Sequence, residues 1–467
     1  MNIQLFIDFG STFTKVVAID VTGEEIIGRV QVPSTVDTDI TIGLQEAFEQ
    51  LKSQTGIAGV KEKGALACSS AAGGLRMSCI GLVPSLTCEA ATRAALGAGA
   101  KVVSHHSYKL SSDEIRQIED ISPDMILLVG GTDGGDEETI LHNARLLTKS
   151  TLSHPILVAG NKVVREEVVS ILESEGKYVA CAENVMPEIN VLQVESCREA
   201  IRTIFMENII RAKGIDKAKR IIQNVIMPTP AAVLRGATLL AEGFEDEGGI
   251  GDSMVLDIGG ATIDVHSISD GKPSTSGVVV KGLPEPRAKR TVEADLGVRY
   301  SATSLLELVG REKLIADLPT PVDEDRMASI IDSFHMNIGR LPETEEEVSV
   351  ETSMSRAAVE IAVERHVGHL EVMHFAHGDV IMQKGKDLTE LNTVIGSGGP
   401  IIFSPNRNLL LQGVLFDRGN PLVLKPKAPT FYTDEKYILY AVGLLASEAP
   451  KTALRIMKRY LRQLEKS

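Results

Sequence analysis

Two segments of the chain, Asp8-Phe9-Gly10-Ser11-Thr12-Phe13-Thr14-Lys15-Val16 and Asp257-Ile258-Gly259-Gly260-Ala261-Thr262-Ile263-Asp264-Val265, carry the same arrangement of residue types 249 residues apart. In each, an apolar run delivers an aspartate, a glycine follows two residues later, and a second apolar run begins seven residues after the aspartate. Phosphate oxygens are held best by several backbone N–H groups at once, which calls for a tight turn with no Cβ in the way. Gly10 and Ser11 meet that need in the first turn, and Gly259 and Gly260 in the second. The hydroxyls of Ser11, Thr12 and Thr262 add side-chain donors, and Lys15 supplies a point charge. Asp8 and Asp257, each at the end of a strand, are suited to hold the waters of Mg²⁺, an ion that prefers carboxylate and water oxygens. Asp264 is placed either to orient a water or to lie behind the other two carboxylates.

A third segment, Thr393-Val394-Ile395-Gly396-Ser397-Gly398-Gly399-Pro400, is an apolar strand entering a glycine-rich turn. Gly396, Gly398 and Gly399 would let a flat base and its ribose lie against the backbone.

The elements that must position these residues are legible in part. Residues 3–7, Lys15 to Asp20 and Glu25 to Val32 read as an antiparallel meander turned by Val21-Thr22-Gly23-Glu24. Farther on, Met125 to Val129 and Pro155 to Ala159 are buried strands, each followed by a glycine-bearing turn and a helical stretch, the second over about 163–172. That alternation predicts a parallel sheet flanked by helices. Apolar residues at Ile201, Ile204, Phe205 and Ile209 predict an amphipathic helix from Cys197 to Lys213, closed by Gly214. The acidic, glycine-rich stretch Gly243–Asp252 reads as a linker, and Pro228-Thr229-Pro230 as a rigid loop between two helices. Residues 430–467 read as a terminal helix pair, the last helix with a solvated basic face.

Composition narrows the function. With 467 residues and 43% hydrophobic content the chain has room for two to four domains, each with its own core. A net charge of −15 disfavours nucleic acid and anionic membranes as partners, since both need a basic face. Aromatic residues make up 4% with no Trp, so stacking platforms for bases are sparse. No apolar run approaches the roughly 20 residues of a spanning helix, and the first residues enter a strand without a basic leader, so the chain reads as cytoplasmic. Five cysteines without CxxC spacing read as reduced thiols rather than a disulfide framework or a zinc site.

DFGSTFTK, LDIGGATIDV and VIGSGGP, in this order, resemble the phosphate-1, phosphate-2 and adenosine motifs of the actin-like ATPase (ASKHA) superfamily. The resemblance spans residues 3 to 445 and implies an α/β fold of two ribonuclease-H-like domains with ATP and Mg²⁺ in the cleft between them. It implies Mg²⁺–water roles for Asp8 and Asp257, phosphate contacts from Ser11, Thr12, Lys15, Gly259, Gly260 and Thr262, and adenosine between Gly396, Gly398 and Gly399. Gly443 would be the close-packing point of a second connecting helix. The domains expected are residues 1–250, with an α/β insertion at about 120–240, then 251–445, then a C-terminal helix over 446–467.

ILLVGGTDGGDEETILHNA, ILVAGNKVV, ENVMPEINVL and MPTPAAVLRGA are in turn similar to the MutL (GlmL) family of glutamate mutase accessory proteins. That resemblance implies an ATP-dependent reactivating factor, a chaperone-like ATPase that releases damaged cobalamin from an adenosylcobalamin-dependent mutase. Which mutase, and whether the chain forms a homo-oligomer, stay open. The alternatives are a small-molecule kinase or ATP-dependent hydrolase of the same superfamily, with Asp257 or Asp264 as base, and an iron–sulfur activator using Cys68, Cys79 or Cys88. Within the insertion, Asp136-Glu137-Glu138 at a helix start reads as capping and Glu188 and Asn190 as turn residues; outside it, His105, His106 and His266 read as solvated or core histidines.

Overall fold

The computed structural model describes residues 2–35, 38–56, 65–70, 75–206, 222–375 and 378–465. The chain opens with β1 (Ile3–Phe9), β2 (Phe13–Asp20) and β3 (Glu25–Pro33), an antiparallel meander with Asp8 opposite Lys15. Helix α1 (Ile40–Thr55) follows; Asp39 accepts from the Thr41 amide at its start, and Gly56, at φ +65°, ends it in the left-handed region. Strand β4 (Ala65–Ser69) then pairs parallel to β1.

At this point the chain leaves the first sheet and builds a second one entirely from parallel strands. These are β5 (Arg76–Gly81), β6 (Lys101–Ser107), β7 (Met125–Leu128), β8 (Ile156–Val158) and β9 (Val179–Cys181). Between them run α2 (Glu89–Gly97), α3 (Ser112–Ile121), α4 (Glu138–Leu147) and α5 (Arg165–Ser174), with α6 (Glu195–Ile204) after the last strand. Buried on both faces, β7 and β8 are continuous apolar runs, as parallel strands must be. The spatial order β6-β5-β7-β8-β9 is the 2-1-3-4-5 order of a doubly wound sheet. Its first two strands lie in residues 76–107, upstream of the segment that reads as α/β from the sequence. Thr139 N donates to Asp136 Oδ1, so Asp136 caps α4 as expected. The helix expected over Cys197–Lys213 is α6 in its first part; residues 207–221 lie outside the described residues.

Strand β10 (Ile222–Pro228) returns to the first sheet beside β4, and α7 (Thr229–Glu242) starts immediately with Pro230 in its first turn. Pro228-Thr229-Pro230 is therefore a strand-to-helix junction, where the sequence reads as a loop between helices; proline suits the first helical turn because its missing N–H has no partner there anyway. The expected linker is a short hairpin, β11 (Gly243–Phe244) and β12 (Glu247–Gly248).

The second half repeats the first. Strands β13 (Ser253–Ile258) and β14 (Ile263–Ile268) pair antiparallel with Asp257 opposite Asp264. A small sheet joins β15 (Val278–Val280) with two later strands, and β16 (Ala288–Glu293) lies along β14. After further helices, α8 (Glu345–His366) packs against β13, β14 and β16, closed at its start by a Thr344–Glu347 capping box. Then come β17 (His369–Phe375) and β18 (Gly378–Lys384), which complete the small sheet, and β19 (Thr393–Ser397) and β20 (Thr430–Thr433), which complete the large one. Helices α9 (Leu439–Leu445) and α10 (Pro450–Tyr460) end the chain with a last short strand, β21 (Arg462–Gln463), on β20.

The two large sheets share one topology. In each, three strands form an antiparallel meander and the fourth and fifth join parallel to the first: β3-β2-β1-β4-β10 and β16-β14-β13-β19-β20. This is the ribonuclease-H-like arrangement that the resemblance to the actin-like ATPase superfamily implies. A core between the sheets joins Phe6 and Val17 to Val255 and Ile395 through α7, α9 and α10. Within it α7 and α9 cross at glycines: a Cβ on Gly236 would lie 2.6 Å from Leu439 O, and one on Gly443 1.8 Å from Ala232 O. The basic face of α10 is not free in solvent. Lys451 pairs with Asp246, Arg455 and Lys458 with Glu247, and Arg459 with Glu25. Among the described residues no helix is long and apolar enough to cross a membrane.

Candidate functional site

The two matching turns face each other across one cavity of about 260 Å³. In the first, Gly10 N donates to Phe13 O at 3.0 Å, and a Cβ on Gly10 would sit 2.6 Å from that same oxygen. Ser11 and Thr12 form the tip outside both strands, so their amides are not spent on the ladder. The second turn has the same closure, Gly259 N to Thr262 O at 2.9 Å. Its Gly260 carbonyl accepts from the amides of Arg299 and Tyr300, which buttress the turn from behind. A Cβ on Gly260 would lie 4.0 Å from Thr12 Oγ1 across the gap. Of the residues singled out in the sequence, Asp8, Gly10, Ser11, Thr12, Lys15, Asp257, Gly259, Gly260, Thr262, Asp264 and Gly399 all line this cavity.

Each carboxylate has its own setting. Asp8 is 1% exposed; its Oδ2 accepts from Lys15 Nζ at 2.9 Å and its Oδ1 from Thr229 Oγ1 at 2.6 Å. Burial pulls the Lys15 ammonium down, but Asp8, Tyr437 and Asp257 outweigh it and hold its pKa above the ordinary lysine value. The ammonium also sits 3.9 Å from the centre of the Tyr437 ring. Burial pushes Asp257 up to about 7, reinforced by Asp264 and Asp8 and opposed by Lys15 and the 3.2 Å hydrogen bond from Tyr437 OH. Asp264 is gripped by Arg290, whose Nε donates to Oδ1 at 2.7 Å.

The donor set suits a hydrated dication better than a bare one. Asp8 and Asp257 retain lone pairs toward the cavity, while no cluster of three or more potential ligands occurs among the described residues. A Mg²⁺ carrying its own waters and phosphate oxygens fits such a pair, because it surrenders water reluctantly.

The third motif divides. Gly396 lies within β19 opposite Leu256, where a Cβ would strike Ile401 at 2.7 Å. Gly398, at φ +95°, lets the turn pass so close to β13 that a Cβ would fall 2.1 Å from Ile258 O. Both glycines pack the strand and its turn, and only Gly399 of the three faces the cavity, beside Pro400. Thr229, Arg290, Arg299 and Tyr437 line the site without having been singled out in the sequence. Only the PTP junction held a signal for one of them, since a strand-to-helix turn puts Thr229 beside the end of β1.

Over 461 residues, 99% of both chains, the sequence is 48% identical to Protein MutL of Clostridium tetanomorphum. The family model described as MutL protein matches residues 4–461. The chain belongs to the MutL family. Among solved structures this MutL chain is similar to a gluconate kinase from Lactobacillus acidophilus (10% identity, 99% and 93% of the two chains, TM-score 0.36). It is also similar to the ethanolamine utilization protein EutJ from Carboxydothermus hydrogenoformans (10% identity, 97% and 89%, TM-score 0.27). The fold of the MutL chain rests on its own repeated topology rather than on likenesses at this level.

Proposed function

We propose that this MutL protein is a Mg·ATP-dependent reactivating factor that opens an adenosylcobalamin-dependent mutase, such as glutamate mutase, and releases damaged cobalamin. The facing pair of phosphate-sized turns with Asp8 and Asp257 between them carries the reading, together with membership of the family. Stray quenching of the radical strips the mutase's cofactor of its upper ligand and leaves a tightly held, inactive cobalamin. In our reading Ser11, Thr12, Gly259, Gly260 and Thr262 hold the phosphates, Lys15 offsets their charge, and Gly399 lies at the nucleoside end. Asp8 and Asp257 hold the waters of the metal, which neutralises charge on the polyphosphate when bound. Asp264 orients the attacking water, and the α7–α9 crossing lets the halves close on the nucleotide. We take residues 1–250 and 251–445 as the two ATPase domains, the second extended by the C-terminal helix.

A partner-binding surface on the inserted sheet accords with its carboxyl edge, where doubly wound sheets receive ligands. The turn at Glu188–Val191 presents Ile189, 69% exposed, together with the exposed Val191. Cyanocobalamin bound to inactivated glutamate mutase should be released with Mg·ATP and not without it, and Asp8→Ala should abolish release. Hydrolysis unaffected by Asp8→Ala overturns the reading. The Ile189→Asp variant should lose release while hydrolysing ATP at the wild-type rate; loss of both would refute this division of labour, and retained release would place the partner surface elsewhere.

A second reading, a small-molecule kinase, is favoured by one observation. His266 lines the deeper part of the cavity, fully buried, with neither ring nitrogen partnered among the described residues. A hydroxylated acceptor there would satisfy it, and ATP consumption with phosphorylated product but no cobalamin release would select this reading.

A further inference from the structure

The end of α2 and the carboxylate of Asp264 are held by one guanidinium. Arg290 stands on β16, its side chain 3% exposed. On one side its Nε and Nη2 lie 2.7 and 2.6 Å from Asp264 Oδ1. On the other, Nη1 donates to the carbonyls of Leu96 and Ala100 at 3.1 and 2.8 Å. Those carbonyls sit where α2 ends and turns into β6, a helix terminus whose partial negative charge favours a cation. A guanidinium is a rigid planar fork, so it cannot follow a shift on one side without spoiling its bonds on the other.

Helix α2 is part of the inserted sheet, whereas Asp264 and Arg290 belong to the second half. Close packing ties the end of α2 to its surroundings: a Cβ on Gly97 would fall 2.2 Å from Arg198 Nε of α6, and one on Gly99 would fall 2.8 Å from Pro228 Cβ at the head of α7. A second arginine runs the opposite way. Arg93 of α2 donates to the carbonyls of Leu283 and Pro284 and to Glu285, in the segment that leads into β16. The inserted sheet therefore grips β16 at its start through Arg93, and is gripped from β16 through Arg290.

We propose that Arg290 is a positioning residue that makes Asp264 answer to the placement of the inserted sheet. With α2 seated, the fork holds the Asp264 carboxylate in its place in the cavity; when the end of α2 moves, that hold is lost. This rests on the ATPase reading above and adds its route of regulation: a partner seated on the inserted sheet is felt at the water-orienting carboxylate. A displacement of about 1 Å at such a group can cost on the order of a hundredfold in rate.

The test uses the full chain with Arg290→Gln, Arg290→Lys and Asp264→Asn, following Mg·ATP affinity, single-turnover hydrolysis and hydrogen exchange over residues 96–101. Arg290→Gln should slow hydrolysis about 10- to 100-fold with affinity within about threefold of wild type. Arg290→Lys keeps the charge without the fork and should recover only a small part of the rate. Asp264→Asn should raise exchange over 96–101, although that carboxylate makes no direct bond to α2. Wild-type hydrolysis in Arg290→Gln overturns the proposal and leaves the ATPase reading standing. If the wild-type chain neither binds nor hydrolyses Mg·ATP, the ATPase reading falls and the proposal with it. Unchanged exchange in Asp264→Asn overturns the proposed link whatever the chain does with ATP.

Discussion

Gly443→Val should destabilise the protein by about 3 kcal/mol or more, among the largest effects of any single substitution outside the cavity. Its Cβ would stand 1.8 Å from Ala232 O and 2.6 Å from the carbonyl carbon, both backbone atoms in the first turn of α7. A flexible side chain could swing away from such a collision; a helical carbonyl cannot. The helices would have to separate, opening the core that includes Leu439, Tyr440, Leu444 and Leu454, every one of them buried. Loss of dispersion contacts across a widened gap is what makes cores intolerant of small separations. Ordinary helix propensity runs the other way, since replacing glycine in a helix by almost any other residue is favourable by up to about 1 kcal/mol. The clash must exceed that gain for the prediction to hold. Urea denaturation of Gly443→Val and Gly236→Ala measures it. A double variant should fall short of the sum of the two, because once the crossing has opened the second methyl meets less resistance. A Gly443→Val protein as stable as the wild type would mean that the helices cross with more freedom than their backbones show.

The two turns were legible because each is a local matter of backbone approach recorded by a short run of glycine and small residues, whereas Gly443 was marked as a packing point only by the resemblance to the actin-like ATPase superfamily. Strands β1–β2 and β13–β14 are hairpins, so the residues that build each turn are neighbours in sequence. The inserted sheet was legible only from β7 onward. Its first strand, Arg76–Gly81, is a six-residue run that pairs with Met125–Leu128 and with Lys101–Ser107, and nothing in RMSCIG distinguishes it from a buried helical turn. Side chains delivered by distant elements were missed altogether. Thr229 reaches Asp8 across 221 residues and Tyr437 reaches Asp257 across 180, so no spacing rule connects them. The third motif shows the converse limit. Glycines at Gly396 and Gly398 serve strand packing, and sequence cannot tell a glycine cleared for a ligand from one cleared for the chain itself.

Asp257→Asn should trade activity for stability. Its carboxyl, half-buried in the cavity wall, is pushed up to about 7 in the folded chain, against an ordinary value of 3.8. Between those values the unfolded chain has released the proton that the native chain still holds. Unfolding therefore releases a proton in this window, and raising the pH favours it, so stability contributed at this position falls as pH rises from about 4 to about 7. An asparagine has no charge to desolvate and can still accept the Tyr437 hydroxyl through its amide oxygen. Asp257→Asn should accordingly melt higher than wild type at pH 8, with the difference closing below about pH 4, where both proteins carry a neutral group. Activity should move the other way, because an amide is a poor partner for metal-bound water; a loss of two to three orders of magnitude in hydrolysis is expected, comparable to removing one well-placed electrostatic group from a buried site. Lys15 decides how large the stability gain can be. Its ammonium favours the ionised Asp257, so the variant gives up some attraction, but Asp8 keeps Lys15 paired at 2.9 Å. The burial cost of a second carboxylate thus outweighs the attraction it returns. Thermal melts at pH 4 and pH 8 beside hydrolysis rates check both halves, and a variant less stable than wild type at pH 8 would show that Lys15 needs both carboxylates.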